Sequence, residues 1–174
     1  MTPETLLAAL RAGGAEADAA RATVSVDGGM RAAVTALLAA SLRPMDRPIV
    51  RELLEQEVAA HEAAGSGASE TLYTLVAAVA RYADPDDTLL LWRARQATPE
   101  TRAGMDIEQF ARAGVERVRR RLNTLAHAPE PRARDARQAL AWLESGLASG
   151  ALDDLPGYFA WADERFGLHI SGPT

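Results

Sequence analysis

Apolar residues recur along this chain at the three- and four-residue spacing of a helix face, and residues that stop helices stand between the stripes. Met30, Val34, Leu37, Leu38 and Leu42 share one face, which ends near Pro44. Ile49, Val50, Leu53, Leu54 and Val58 form the next stripe, with Glu52, Glu55 and Glu57 turned elsewhere, Asp46 as the expected cap and Gly65-Ser66-Gly67 as the break. Leu72, Leu75, Val76 and Val79 follow. The run Asp84-Pro85-Asp86-Asp87 then makes a turn that opens a helix carrying Leu89, Leu90, Leu91 and Trp92. That helix is apolar at consecutive positions, so it is expected to be the most central one.

Both ends of the chain are punctuated in the same way. Thr2 as N-cap, Pro3 at the first helical position, Glu4 in the first turn and Gly13-Gly14 as the stop mark an opening helix. Residues 15 to 27 predict a short helix followed by a loop. From Asp106, a single stripe of Ile107, Phe110, Ala111, Gly114, Val115, Val118, Leu122 and Leu125 predicts one long helix, with Gly114 allowing close approach of a neighbour, closed by Pro129 and Pro131. Ala136, Leu140, Leu143 and Leu147 define another helix, and Leu155, Phe159, Ala162 and Phe166 a last one ending at Gly167. No stretch alternates like a strand, so the expected class is all-α, with about seven to nine helices.

The helices also repeat. LLAASLRPMDRPIVRELLEQEVA and LVAAVARYADPDDTLLLWRARQA share an apolar helix, a turn with Pro and Asp, and a second apolar helix. Their offset of about 40 residues is in the range of HEAT and armadillo units. A third copy is expected from Val115 through Ala148. A lone hairpin cannot hide its apolar face, so the expected architecture is a short right-handed stack of antiparallel helical hairpins. It forms a single domain over residues 1–174, with 1–28 as an N-terminal cap and 168–174 as a flexible tail.

Composition narrows the chemistry. All 19 basic residues are Arg, a bias that fits a high-GC bacterial source. With no Cys there is no disulfide, thiolate metal site or thiol nucleophile. The opening MTPETLLAALRAGG lacks the basic and apolar regions of an export signal, and no apolar run is long enough to span a membrane, so a cytoplasmic, non-membrane protein is expected. A net charge of -5 suits a basic protein partner better than nucleic acid.

The candidate chemical groups each have a plain structural explanation. Glu57 and His61 lie four apart on one helical face, but further metal ligands are missing and His127 and His169 stand alone, so His61 is expected to be exposed and unremarkable. Asp84, Asp86 and Asp87, like Asp153 and Asp154, precede helices and are expected to cap them. Arg117, Arg119, Arg120 and Arg121, with Arg132, Arg134 and Arg137 close behind, could grip phosphate, but Val118 and Leu122 take the buried stripe and leave the arginines to solvent or to acidic neighbours such as Glu116. Phe159 and Phe166 read as core. Tyr158 and Trp161, three apart on another face, suit a binding anchor. P-loop, GxGxxG and GxSxG motifs are missing from the sequence, and no catalytic residue or cofactor is assigned.

The segments ADPDDTLLLWRARQATPETRAGMDIEQFARAGVERVRRRL and ALAWLESGLASGALDDLPGYFAWADERFGL resemble small bacterial HEAT-like helical-repeat proteins associated with polymorphic toxins, some of them of immunity type. The resemblance covers roughly residues 72–168. It implies a non-enzymatic module that neutralises a partner by surface occlusion and carries no catalytic residue across. Two faces are expected to serve: one with Asp84, Asp86, Asp87, Trp92 and Arg93, the other with Asp153, Asp154, Tyr158 and Trp161. The alternatives are a nucleic-acid or anion-binding face on Arg117, Arg120, Arg121 and Arg134, and a small-molecule pocket or enzyme site between helices.

Overall fold

A computed structural model describes residues 2–169. Its secondary structure is helical, as the periodicity predicts, with no strand among the described residues. Eleven α-helices follow one another: α1 (Pro3–Ala12), α2 (Gly14–Val26), α3 (Gly28–Ala40), α4 (Arg47–Ala64), α5 (Glu70–Arg81), α6 (Thr88–Gln96), α7 (Pro99–Gly104), α8 (Ile107–Phe110), α9 (Val115–Leu125), α10 (Arg132–Ala148) and α11 (Leu155–Arg165). Single 3-10 turns at Pro44–Asp46 and Pro85–Asp87 lead into α4 and α6. None of these helices is long and apolar enough to cross a membrane.

The number exceeds the seven to nine expected for identifiable reasons. The stripe over 106–125 is one in sequence but two in space: Gly114, at φ 93 and ψ 126, leaves the helical region and separates the single turn α8 from α9. Thr98 caps a short α7 through the Thr101 N–H at 3.1 Å. The glycine that permits close approach is Gly146 rather than Gly114, since a Cβ there would stand 2.5 Å from Ile107 Cδ1. The short helix expected within residues 15 to 27 is present as α2, and the loop expected to follow it is reduced to Asp27, which ends α2 and caps α3 by accepting from the Met30 N–H at 2.9 Å.

The helices pack in two rows. In one, α1 lies on α3, α3 on α5 and α5 on α8; in the other, α2 lies on α4, α4 on α6 and α6 on α10. The most central helix is α5, not α6. Leu72 and every residue from Thr74 to Ala80 are buried, whereas Leu89 and Leu90 of α6 are only partly covered. Alanine explains the difference, because Ala77, Ala78 and Ala80 let neighbours close on every side of α5. The first two residues of the expected tail are held against the helices. Leu168 is buried, and His169 exchanges backbone hydrogen bonds with the end of α3, donating to Ala39 O at 3.0 Å and accepting from Leu42 N at 3.1 Å. Residues 170–174 lie outside the described residues.

Three buried charged groups hold these rows in register. Asp46, fully buried, accepts both arms of the Arg11 guanidinium at 3.0 and 2.6 Å and the Arg43 N–H at 3.0 Å. Asp87, at the end of the second 3-10 turn, is likewise buried and pairs with Arg47 at 3.1 Å and Arg51 at 2.8 Å. Glu57 faces inward, contrary to expectation, and meets Arg31 at 2.6 Å, the pair being 9% and 5% exposed at their side chains. A carboxylate at that depth requires a guanidinium, which explains why an acidic residue stands beside Val58 on a buried surface.

Removing one partner of such a pair strands the other charge at a cost of about 3–5 kcal/mol. Asp46→Ala is expected to lower the unfolding free energy by that amount in urea titrations, and Asp87→Ala by about 1–3 kcal/mol, because Arg47 and Arg51 are about a third exposed and Arg47 keeps Asp84. Asp86→Ala, at an exposed position of the same turn, is expected to change it by less than about 0.5 kcal/mol. Equal effects at Asp86 and Asp87 would contradict the buried-pair account.

Candidate functional site

The acidic turn neutralises itself. Asp84 accepts from the Asp86 N–H at 2.9 Å and pairs with Arg47 at 2.7 Å, Asp87 is buried beneath it, and Asp86 reaches Arg121 at 2.8 Å. Trp92, expected on the same face, is 5% exposed. Its ring lies 5.8 Å from that of Trp142, and the Arg95 guanidinium sits 4.2 Å from the Trp142 centroid. Arg93 is exposed but forks onto Glu62 at 2.8 and 2.5 Å. Trp92 and Asp87 therefore offer nothing to a partner, and Asp84, Asp86 and Arg93 already hold internal ion pairs.

The second face is different. Asp154 caps α11 by accepting from Gly157 N at 3.1 Å, while Asp153 stands exposed beside it. Trp161 is 51% exposed, and its ring lies 5.4 Å from that of the half-buried Tyr158. Phe159, on the other side of Tyr158, is covered by Arg112, whose guanidinium lies 4.8 Å from the ring centroid and forks onto Asp163 with both bonds at 2.7 Å. That ion pair, joined by Arg81 at 3.2 Å, holds α11 against the body of the protein.

Tyr158 brings in residues that sequence reasoning missed. Its hydroxyl donates to Asp106 Oδ2 at 2.8 Å, across the contact between α11 and α8. Tyr158, Asp106, Tyr73 and Gln109 form the polar wall of a narrow cleft of about 20 Å³, with Met105 and Phe166 on its apolar side. Gln109 is only 4% exposed, yet neither its Oε1 nor its Nε2 completes a hydrogen bond. The sequence carried one signal for it: an amide among Ile107, Phe110 and Ala111 on an otherwise apolar turn. Asp106 and Glu108 form no ion pair among the described residues, and neither do Asp153 and Asp154.

The negative field of this cleft acts on its phenols. Burial raises the Tyr73 pKa, and the charges of Asp106 and Glu100 raise it further. Burial likewise raises Tyr158, followed by its hydrogen bond to Asp106 and the charges of Asp106 and Glu108, with Gln109 working weakly in the opposite direction.

The arginine face is only partly assembled. Arg117, Arg120 and Arg121 line a depression of about 240 Å³ with Pro85 and Thr124. Arg134 is not among the residues lining it, and stands 3.9 Å from Asp135. Arg119 is drawn aside by Glu116 and Glu144. His61 is not exposed as expected; it is largely buried, with Nε2 3.1 Å from Ser69 Oγ, and Ser69 in turn donates to Glu57 at 2.7 Å. It thus belongs to the buried Arg31–Glu57 network.

Comparison with protein families, with curated proteins and with solved structures finds no match to this chain.

The third tyrosine, Tyr82, is also raised, by burial and then by Asp46, with Arg11 and Arg47 partly offsetting it. Each phenol therefore keeps its proton in the folded state at a pH where the unfolded chain, near the ordinary value of 10.0, loses it. This contribution to stability is fully present below that value and is lost as the pH rises through the folded-state pKa. At about pH 11, tyrosinate absorbance is expected to be far weaker in the native protein than in urea. Equal absorbance would contradict the burial of these phenols.

Proposed function

We propose that this chain is a non-enzymatic protein-binding module that receives a basic partner on the face formed by α8 and α11. The observation that carries the reading is the half-exposed Trp161 packed on Tyr158, whose hydroxyl is held by Asp106, on a helix that begins at Asp153 and Asp154, acids without an ion pair among the described residues. Aromatic anchors ringed by groups of one charge sign are where binding energy and partner choice concentrate. The net charge of -5 agrees in sign. The two-row packing supports a stack of helical hairpins, α1–α2, α3–α4 and α5–α6, which leaves the α8–α11 end as a terminal surface. An immunity-type role, neutralising a toxin by covering it, is the form suggested by the resemblance.

A second reading has one specific observation in its favour, the convergence of Arg117, Arg120 and Arg121 on one depression. It makes the chain an anion or nucleic-acid binder, with affinity that falls steeply as salt is added.

Affinity capture from the native host with wild-type and Trp161→Ala baits separates the two. A stoichiometric basic protein is expected on the wild-type bait, with binding to Trp161→Ala weaker by about 30-fold, the scale of a 2 kcal/mol anchor. Undiminished capture by Trp161→Ala would overturn the α8–α11 assignment. Nucleic acid retained by wild type and lost in Arg117→Ala/Arg120→Ala would establish the second reading.

A further inference from the structure

We infer that the cleft between α5, α8 and α11 is a receptor for one primary ammonium group, supplied by a lysine of the basic partner, with Asp106 as its counter-ion. The inference rests on the protein-binding reading and makes it specific. Three observations converge. First, Asp106 is exposed and binds no guanidinium among the described residues, whereas Asp163 is taken by Arg112 and Glu70 by Arg165. Tyr158 occupies its Oδ2, which leaves Oδ1 free of any protein hydrogen bond.

Second, Gln109 is buried to 4% exposure with Oε1 unpartnered, and it lines the same cleft. An ammonium supplies the donor that this buried Oε1 lacks. Third, the shape favours a compact cation. The cleft is narrow, about 20 Å³, and a lysine ammonium is a compact point charge on a flexible stem, whereas a guanidinium is a broad planar fork. The donor count agrees. An ammonium has three N–H donors, and Asp106, Gln109 and Tyr73, each of which carries an acceptor, all line the cleft.

The test uses the full chain and NMR of the Gln109 side-chain amide. Nα-acetyl-lysine amide is the probe, and its Nε-acetylated and arginine counterparts are the controls. The lysine probe is expected to shift the Gln109 NH₂ resonances saturably, and the two controls are not. Asp106→Asn, which keeps an acceptor for Tyr158, is expected to weaken the response by at least about tenfold. Gln109→Leu, which removes this reporter, is read by Tm alone and is expected to raise it, because an unsatisfied buried amide is replaced by an apolar group of similar size. A purely structural Gln109 predicts the reverse, a lowered Tm.

A response of equal size to the arginine probe, or one unaffected by Asp106→Asn, overturns the assignment. Two outcomes separate this inference from the reading beneath it. If Trp161→Ala abolishes partner capture while Asp106→Asn and Gln109→Leu leave it intact, the ammonium site is wrong and the binding face stands. If the lysine probe and a free alkylamine bind alike while no partner is captured, the ligand is a small amine, which overturns the partner lysine as its source.

Discussion

The structure depends on a buried aspartate at the end of each 3-10 turn that accepts a guanidinium from an earlier helix. Asp46 takes Arg11 from α1, and Asp87 takes Arg47 and Arg51 from α4. Both turns begin with proline, Pro44 in one and Pro85 in the other, so the same device occurs twice. A desolvated ion pair adds little net stability over an apolar substitute, but it penalises any register in which one partner is left alone. Leucine and alanine faces can slide past one another by a helical turn at modest cost, whereas a buried aspartate can be satisfied only where its arginine arrives. The exclusive use of arginine suits this role, because its planar fork engages both carboxylate oxygens.

Much of this architecture could be read from spacing alone. The cap at Thr2, the stop at Gly13 and the stripes of α3, α4 and α5 occupy the expected positions, because each depends on contacts within a few residues. Features set by distant partners could not be read. Glu57 looked like a surface acid until Arg31 arrived from α3. The break at Gly114 was hidden because the stripes of α8 and α9 remain in phase across it. The centrality of α5 followed from small residues that permit close packing, a property that a hydrophobic count ranks below leucine.

The candidate site divides along the same line. Tyr158 and Trp161 could be found from their spacing, since a helix places residues three apart side by side. Asp106 and Gln109 could not, because they join the site only when α11 folds back on α8. The acidic turn, by contrast, attracted attention through local charge density and proved to be internally paired. Charge becomes a recognition element where it lacks a partner within the chain, and pairing is a tertiary property. On the proposed reading, the acids of α8 and the start of α11, which form no ion pair among the described residues, carry the recognition in place of the denser cluster at Asp84–Asp87.

Hydrogen exchange of the full chain, with and without a short oligolysine peptide, tests this account most directly. The account predicts slowed exchange in residues 106–110 and 155–165, with the turn at 84–87 and helix α9 unchanged. Protection centred on that turn, or no protection of α8 and α11 at peptide concentrations that saturate binding, would contradict it.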